Sequence, residues 1–181
     1  MKFHSSIGAA SRRFMFALAA ILFLSGCCHM KKDRPAGKCG DGLETGKKIA
    51  AAATHVSAVG LGALLADVQE ESARVEIIRK YIAPIRFYDD LSGYFYVYNF
   101  DCLNIAHATQ KDLPGRNLAD HQDVKGKYVI RELSAAAKRG GGYVEFYWVK
   151  PGDTGEKRKM GYVEPIPGTE YFIGTGVYIP E

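Results

Sequence analysis

The chain has 181 residues, a length that favours one domain with a substantial hydrophobic core. Its 24 Lys and Arg residues against 20 Asp and Glu residues give a formal net charge of +4. Three of the basic residues lie among the first 26, so the remainder carries 21 basic against 20 acidic side chains, or +1. Because no basic patch is interleaved with aromatic residues, we expect no nucleic acid among the partners.

The N-terminal segment has the organisation of a bacterial export signal. A short basic region is followed by an apolar run over residues 14–24, which is shorter than the roughly 20 residues that a membrane-spanning helix needs. The next stretch, Leu24-Ser25-Gly26-Cys27, resembles a lipobox. We therefore predict a lipoprotein signal peptide over residues 1–26 and fatty-acid attachment, such as palmitate, at Cys27. The alternative is a signal anchor in which the cysteine is incidental.

These features predict a protein held by lipid on the periplasmic side of a bacterial membrane. Cys28, and not Asp, follows Cys27, which favours the outer membrane over the inner one. The Arg12-Arg13 pair leaves the general and the twin-arginine export routes both open.

A tether is expected after the lipid site. Residues 27–45 are rich in Lys, Gly, Asp and Pro, which predicts a flexible segment with little to bury. Thiols oxidise in this compartment, and a disulfide between Cys39 and Cys102 is left open by the sequence.

Residues 46–86 carry a helical pattern, because apolar residues recur three and four positions apart. This spacing predicts an amphipathic helix that lies on a sheet. Gly60 and Gly62 leave open a break or two helices, and Pro84 is expected to end the pattern. The residues of the predicted buried stripe are Val56, Val59, Leu64, Val68, Val75, Ile78 and Ile82.

The rest of the chain predicts strands and one further helix. Two alternating runs with a short connection indicate a β-hairpin, then a helix ends at three glycines, and three more strands follow. Short connections favour antiparallel neighbours and an α+β fold, with a central antiparallel sheet of about five strands and a long N-terminal helix on one face. The predicted bounds are Gly93–Asn99, Cys102–Thr109, Lys125–Arg139 (helix), Tyr143–Val149, Arg158–Glu164 and Glu170–Ile179.

Several of these stretches resemble a known family. The segments SGYFYVYN, IAHA, GGGYVEFYWVKPG and KRKMGYVEPIPGTEYFIGTGVYI, with the long turn-rich run between the second and third, look like a single Cache domain of the second subtype. Ala108 stands where the family often has Pro. The resemblance covers roughly residues 75–180, and it identifies residues 46–181 as one PAS-like Cache domain. It implies a pocket on the sheet that accepts a small organic acid such as acetate, propionate, pyruvate or lactate.

The strand that begins at Gly93 alternates in chemistry as well as in hydrophobicity. Successive side chains of a strand point to opposite faces, so Phe95 and Val97 are expected to face the helix while Tyr94, Tyr96 and Tyr98 face the other way. A phenol joins an apolar ring to a hydroxyl that needs a partner when buried. Such a face suits an apolar pocket with a few placed donors, although tyrosine also fills strands by ordinary propensity.

A carboxylate ligand requires donors or positive charge. We predict Arg86 as its anchor because a guanidinium grips a carboxylate through two parallel bonds. His107 is a second candidate, as a donor or as a cation at mildly acidic pH. The candidate ligand-binding residues are Arg86, Tyr94, Tyr96, His107, Tyr147 and Lys159.

The sequence carries no nucleophile motif, phosphate loop or metal-binding spacing, so we expect no catalytic activity, no cofactor and no metal. The leading hypothesis is a lipid-anchored, sensor-type binding protein for a short organic acid. The alternative is a non-binding interaction or scaffold module of the envelope that retains the Cache fold. The sequence ends at Glu181, directly after the last predicted strand, so we expect a separate transmembrane signalling protein as partner.

Overall fold

The computed structural model describes residues 39–180. The predicted signal peptide, the lipid site Cys27 and residues 27–38 of the predicted tether lie outside this part. The first helix, α1 (Cys39–Leu65), begins within the segment expected to be flexible. Residues 39–45 of the predicted tether are therefore helical.

Two helices precede the sheet, as the sequence left open. The second, α2 (Glu71–Ile82), follows a break at residues 66–70 and ends before Pro84. Gly60 and Gly62 do not cause this break, because both lie within α1. At Gly62 a Cβ atom would stand 3.0 Å from the carbonyl oxygen of Pro167, so glycine serves a close approach there. Within the described residues, α1 from Gly42 to Leu65 is also long and apolar enough to cross a membrane by length and composition.

The sheet has five strands and is antiparallel throughout, which confirms the predicted α+β architecture. Its order is β2-β1-β5-β4-β3, and the predicted hairpin pairs Tyr96 with His107. A third helix, α3, connects β2 to β3. The bounds are β1 Tyr96–Asn99, β2 Asn104–His107, α3 Val129–Lys138, β3 Gly142–Val149, β4 Glu156–Pro165 and β5 Tyr171–Tyr178.

Each face of the sheet has its own hydrophobic core. On one face, Phe95 and Val97 pack in a cluster with α1 and α2. On the other, Tyr94, Tyr96 and Tyr98 pack in a cluster with α3. The alternation along this strand thus places the aliphatic helices and the tyrosines on opposite sides, as predicted.

The buried side of α1 differs from the predicted stripe. Val56 and Val59 are 68% and 51% exposed, and Leu64 is exposed as well, whereas Leu61 and Leu65 are buried. The reason lies in close packing, since small residues face the sheet along the first half of the helix. At Gly46, for example, a Cβ atom would stand 2.7 Å from Cγ2 of Val177 in β5. The large apolar residues are therefore left on the outer face.

Cys102 lies in the turn between β1 and β2, with a positive φ of 68°. It is buried and free, so the disulfide that the sequence left open is not formed at this residue.

Candidate functional site

A narrow cavity lies between the tyrosine face of the sheet and α3. Its free volume, about 10 Å³, is about what a single water molecule needs. Five elements surround it: β1 and β2 at one end, β3 and β4 at the other, and α3 as the cover. Its lining residues are Tyr94, Tyr96, Tyr98, His107, Val129, Ile130, Leu133, Phe146, Trp148 and Lys159.

Strand register brings the polar lining residues together from distant parts of the chain. Tyr96 is paired with His107 across the β1–β2 hairpin. Phe146 of β3 is paired with Lys159 of β4, so both side chains project from the same face. Because β5 joins the two halves of the sheet, the hairpin and the β3–β4 pair flank one central strand.

Glycines in β4 and β5 provide the floor of the cavity. A Cβ atom at Gly174 would stand 2.6 Å from Cε2 of Tyr96, and one at Gly161 would stand 2.6 Å from Cε1 of Phe146. At Gly176 it would stand 3.0 Å from Cε of Lys159. The aromatic rings and the lysine stem therefore occupy the space that ordinary side chains on β4 and β5 would fill.

Lys159 is the most unusual residue of the site. Its side chain is fully buried, and its Nζ has no hydrogen-bond partner among the described residues. The Nζ atom stands over three aromatic rings, 4.0 Å from the centroid of Tyr94, 4.6 Å from Tyr178 and 5.8 Å from Tyr96. Cation–π contacts offset only part of the cost of burying an ammonium group, and burial lowers the pKa of Lys159 to about 7.

The tyrosine hydroxyls differ in how much they are already engaged. Tyr178 Oη donates to the carbonyl oxygen of Val149 at 2.7 Å, so in the 3.2 Å contact between the two phenols Tyr94 is the donor. The Tyr96 hydroxyl has only a long contact, 3.5 Å, to the carbonyl oxygen of Thr175. Burial raises the pKa of Tyr94 to about 12 and that of Tyr96 well above its ordinary value, so both stay protonated. Tyr96 is the more available donor.

His107 presents a neutral donor to the site. Its Nδ1 accepts the backbone N–H of Gln110 at 3.0 Å, which leaves the proton of the neutral ring on Nε2. Burial, with the positive charges of Lys159 and Arg86 adding to it, lowers the pKa of His107 to about 3. In the ligand-free protein the ring is therefore neutral at mildly acidic pH, and of the two roles predicted for His107 this environment favours the neutral donor.

Arg86 does not line the cavity. Its guanidinium donates to three backbone carbonyls, those of Ile85 and Ala108 at 2.6 Å and that of Ala83 at 3.2 Å. Because these bonds occupy the guanidinium, the residue predicted as the carboxylate anchor instead fastens the end of β2 to the segment before β1. It acts on the cavity through its charge, which contributes to the lowered pKa of His107.

Tyr147 is also absent from the cavity lining. Its neighbours Phe146 and Trp148 line the cavity, so alternation directs Tyr147 to the other side of β3. Lys125 Nζ lies 5.7 Å from the centroid of the Tyr147 ring. The backbone N–H of Tyr147 donates to Asp123 Oδ2 at 3.0 Å.

The sequence-based choice of site residues omitted Trp148 and Tyr178. The Trp148 indole donates through Nε1 to Gln110 Oε1 at 2.7 Å, which ties β3 to the loop after β2. Tyr178 carries one of the rings around Lys159. Strand alternation could have indicated these residues. Lys159 and Tyr178 are directly paired between β4 and β5, so their side chains lie on the same face of the sheet.

The fold is thus an antiparallel sheet with helices on both faces and a small aromatic cavity under α3. The Cache domain family matches residues 65–181. This match covers more than half of the chain, and the chain belongs to the Cache domain family, as the sequence motifs indicated.

Among curated proteins, the chain is similar to the sensor histidine kinase MctS of Rhizobium johnstonii, with 39% identity over 89 residues. It is also similar to the methyl-accepting chemotaxis protein McpP of Pseudomonas putida, with 28% identity over 93 residues. These matches cover 49% and 51% of this chain but only 19% and 17% of the two relatives. The chain thus corresponds to a small part of each.

Solved structures show the same fold. A methyl-accepting chemotaxis protein from Vibrio parahaemolyticus superimposes with a TM-score of 0.67 and 29% identity, covering 78% of this chain and 93% of that one. A Cache chemosensory domain, whose structure was described as a basis for carboxylic acid recognition, gives a TM-score of 0.62 and 25% identity, with coverage of 78% and 95%.

Proposed function

We propose that the chain is an extracytoplasmic sensor-type domain that binds a short carboxylate in the cavity under α3. The observation that carries the proposal is Lys159, a buried ammonium group without a hydrogen-bond partner among the described residues. Such a group destabilises the ligand-free protein, and a small anion in contact with it would supply the missing partner. The relatives support the same class of function, because they are chemotaxis and histidine-kinase sensors and one structure concerns carboxylic acids.

The proposed binding geometry follows from the donors that remain free. One carboxylate oxygen pairs with Lys159 Nζ, and the other accepts from His107 Nε2 and the Tyr96 hydroxyl. The aliphatic end of the acid then contacts the apolar lining from α3, where Val129, Ile130 and Leu133 contribute. The proposed ligands are acids of two to four carbons, such as acetate, propionate, pyruvate or lactate, and the cavity, which has room for about one water molecule, must widen to admit them.

We therefore propose Lys159, and not Arg86, as the residue that anchors the ligand carboxylate. Lys159 fits a carboxylate in the cavity because its stem crosses the glycine floor and its ammonium ends within the lining. We assign Arg86 the role of holding the cavity's edge in place through Ala108.

Isothermal titration calorimetry tests this proposal. The protein would be titrated with the four acids and, as matched controls, with the neutral amides acetamide and propionamide. We expect at least one acid to bind and its amide to bind at least about tenfold more weakly, since the charge-assisted contact is lost. Equal binding of acid and amide, or no heat from any acid, would contradict the proposal.

We further propose that the chain is held at the periplasmic side of the membrane by lipid on Cys27 and reports its ligand to a separate transmembrane signalling protein. The lipobox-like stretch and the similarity to parts of membrane receptors support this. Labelling with a radioactive fatty acid, compared between the wild type and Cys27→Ala, is the test. Loss of label and retention of the precursor in the variant are expected, whereas normal processing to a soluble form would contradict lipidation.

A further inference from the structure

Lys159 combines full burial with the lack of a partner, unlike the lysines at the surface. Lys150, for example, is partly exposed and pairs with the carboxylate of Asp90 at 2.8 Å. Lys159 is the one lysine that is buried within residues 39–180, and its Nζ has no hydrogen-bond partner there. No carboxylate in this part of the chain holds Lys159 in its charged form, and the neutral amine of a lysine is a nucleophile.

The surroundings of Nζ favour this neutral amine. Burial lowers the pKa of Lys159 to about 7, and the centroid of the Tyr94 ring lies 4.0 Å from Nζ. At pH 7 about half of the Lys159 side chains are therefore free amines, against about one in 3,000 for a lysine with the ordinary value of 10.5. A lysine that is desolvated in this way is the kind of side chain that forms imines with carbonyl compounds.

The proposed binding geometry presents a carbonyl group to this amine when the ligand is a 2-oxo acid. The carbonyl carbon of such an acid is bonded directly to the carboxylate carbon. A carboxylate that contacts Lys159 Nζ therefore holds the carbonyl carbon near the distance of about 3–3.5 Å from which a bond can form. Acetate, propionate and lactate carry no carbonyl group besides the carboxylate, so these acids can only pair with the ammonium form.

Imine formation is balanced without any further reactant. The electron pair of Nζ forms a bond to the carbonyl carbon, and the π electrons of the carbonyl move to its oxygen. This oxygen then takes the two protons that Nζ carried and leaves as water. The Tyr96 hydroxyl is suited to relay these protons, because burial keeps it protonated and its contact to the carbonyl oxygen of Thr175 is long, at 3.5 Å. A protonated imine keeps the positive charge next to the ligand carboxylate, so their attraction is retained.

The cavity would protect such a bond after it has formed. Imines hydrolyse in water, and an enclosed site that excludes water prevents this side reaction. The free volume of the cavity is about 10 Å³, or room for about one water molecule. The cover from α3 is apolar, since Val129, Ile130 and Leu133 contribute to the lining.

We propose that Lys159 Nζ captures 2-oxo acids, such as pyruvate, as a reversible imine, and that the site thereby distinguishes them from 2-hydroxy acids such as lactate. The inference rests on the proposed function, because binding of the carboxylate brings the carbonyl group to the amine. It adds a selectivity that an ionic contact alone does not provide, since the carboxylates of pyruvate and lactate carry the same charge.

Trapping with cyanoborohydride tests the proposal, because this hydride donor reduces a protonated imine to a stable secondary amine. The folded wild type would be incubated with pyruvate and cyanoborohydride at pH 7, and the modified lysines would be located by mass spectrometry of peptides. We expect a 1-carboxyethyl group on Lys159 that appears at least about tenfold faster than on the exposed Lys125. In guanidinium chloride, where burial is lost, the two lysines should react at similar rates.

Competition separates this inference from the proposed function. The acid that binds best in calorimetry among acetate, propionate and lactate should slow the labelling of Lys159, because it occupies the same cavity without forming an imine. Equal labelling of Lys159 and Lys125 in the folded protein, or labelling of Lys159 that a saturating competitor does not slow, would overturn the inference. If such an acid binds but pyruvate gives no adduct, the imine is refuted while the carboxylate site stands. If no acid binds and no adduct forms, both proposals fail.

Discussion

The two faces of the central sheet are built from the same strands but have opposite properties. On the α1 and α2 face, Phe95 and Val97 meet aliphatic side chains, and the cluster is apolar. On the α3 face, Tyr94 and Tyr96 meet a histidine and an ammonium group around a cavity. Since alternation from Tyr94 to Tyr98, through the start of β1, generates both faces, these five residues separate the stabilising core from the binding site.

The comparison shows where this fold gains stability and where it gives stability up. The aliphatic face buries mostly side chains without polar groups, although Thr54 Oγ1 of α1 is also buried without a hydrogen-bond partner among the described residues. The tyrosine face buries Lys159 without a hydrogen-bond partner among the described residues and leaves the Tyr96 hydroxyl in a long contact. Binding sites often hold such unfavourable groups, because a ligand can relieve them.

The largest effect is expected on the aliphatic face. Phe95→Ala removes a ring that is 2% exposed and stands 5.7 Å from the ring of Phe87. The free energy of unfolding should fall by about 3–5 kcal/mol, as for other buried Phe-to-Ala changes, measured by urea denaturation. Calorimetry on the folded variant at low temperature should give unchanged carboxylate affinity. Reduced affinity in a well-folded variant would show that the two faces are not separate.

Lys159→Met should have the opposite effects: a loss of carboxylate affinity without a loss of stability. The variant keeps the length of the stem but removes the charge, so affinity for the acid should fall about ten- to a hundredfold. The melting temperature of the ligand-free protein should rise, because an unpaired buried ammonium is replaced by an apolar group. Lys125→Met, at an exposed site, is the control and should change neither property. A destabilised Lys159→Met protein would mean that the ammonium has a stabilising partner.

The pH dependence of stability sharpens this prediction. The folded-state pKa of Lys159, about 7, lies below its ordinary value of 10.5. Between these pH values the unfolded chain binds more protons, so the unfolding free energy should rise with pH by at most about 1.4 kcal/mol per pH unit. This rise should be present in the ligand-free wild type and reduced in Lys159→Met. Equal slopes in thermal melts from pH 7 to 10 would show that Lys159 is not the cause.

Replacing glycine with alanine should change stability in opposite directions at Gly174, in the cavity floor, and at Gly60, in α1. In Gly174→Ala the new Cβ stands 2.6 Å from both Tyr96 and Val163, and overpacking costs about 1–3 kcal/mol. Ligand affinity should fall as well, because Tyr96 is displaced. In Gly60→Ala the nearest atom is the Tyr81 hydroxyl at 3.8 Å, so this helical site should gain up to about 1 kcal/mol. Melting curves and calorimetry check both variants, and a tolerated Gly174→Ala would refute the glycine floor.

Tyr96→Phe should give the smallest effect. The hydroxyl has only a 3.5 Å contact in the ligand-free state, so stability should change by less than about 1 kcal/mol. Affinity should fall by about fivefold, because one neutral donor is lost. A change of stability larger than the change of binding energy would place the hydroxyl in the core and not in the site.

The sequence predicted the sheet and its two faces well. Strand alternation is local, and the turn residues between strands are distinctive, so β1, β2 and the direction of Tyr94 and Phe95 followed from pattern alone. The direction of α1 did not follow. Both of its sides are apolar, so periodicity identified a helix without showing which side meets the sheet, and Val56 was assigned to the wrong one.

The site was predicted in part for similar reasons. Tyr94, Tyr96, His107 and Lys159 lie in strands or directly beside them, and the structure brings all four to the cavity. Arg86 precedes β1 in a stretch without a periodic pattern, so no local signal indicated the direction of its guanidinium. The lowered pKa values of Lys159 and His107 depend on burial by distant segments, which no local pattern contains.

Proton uptake on binding tests the central claim, that a ligand carboxylate pairs with Lys159, most directly. The acid that binds best in the calorimetric panel would be titrated at pH 8 in two buffers of different ionisation enthalpy. With a ligand-free pKa of about 7, Lys159 is mostly neutral at this pH, so pairing with the anion should draw about 0.9 proton per ligand bound. At pH 6 the uptake should nearly vanish, and His107, neutral in both states, should add nothing. Binding at pH 8 without proton uptake would contradict the account.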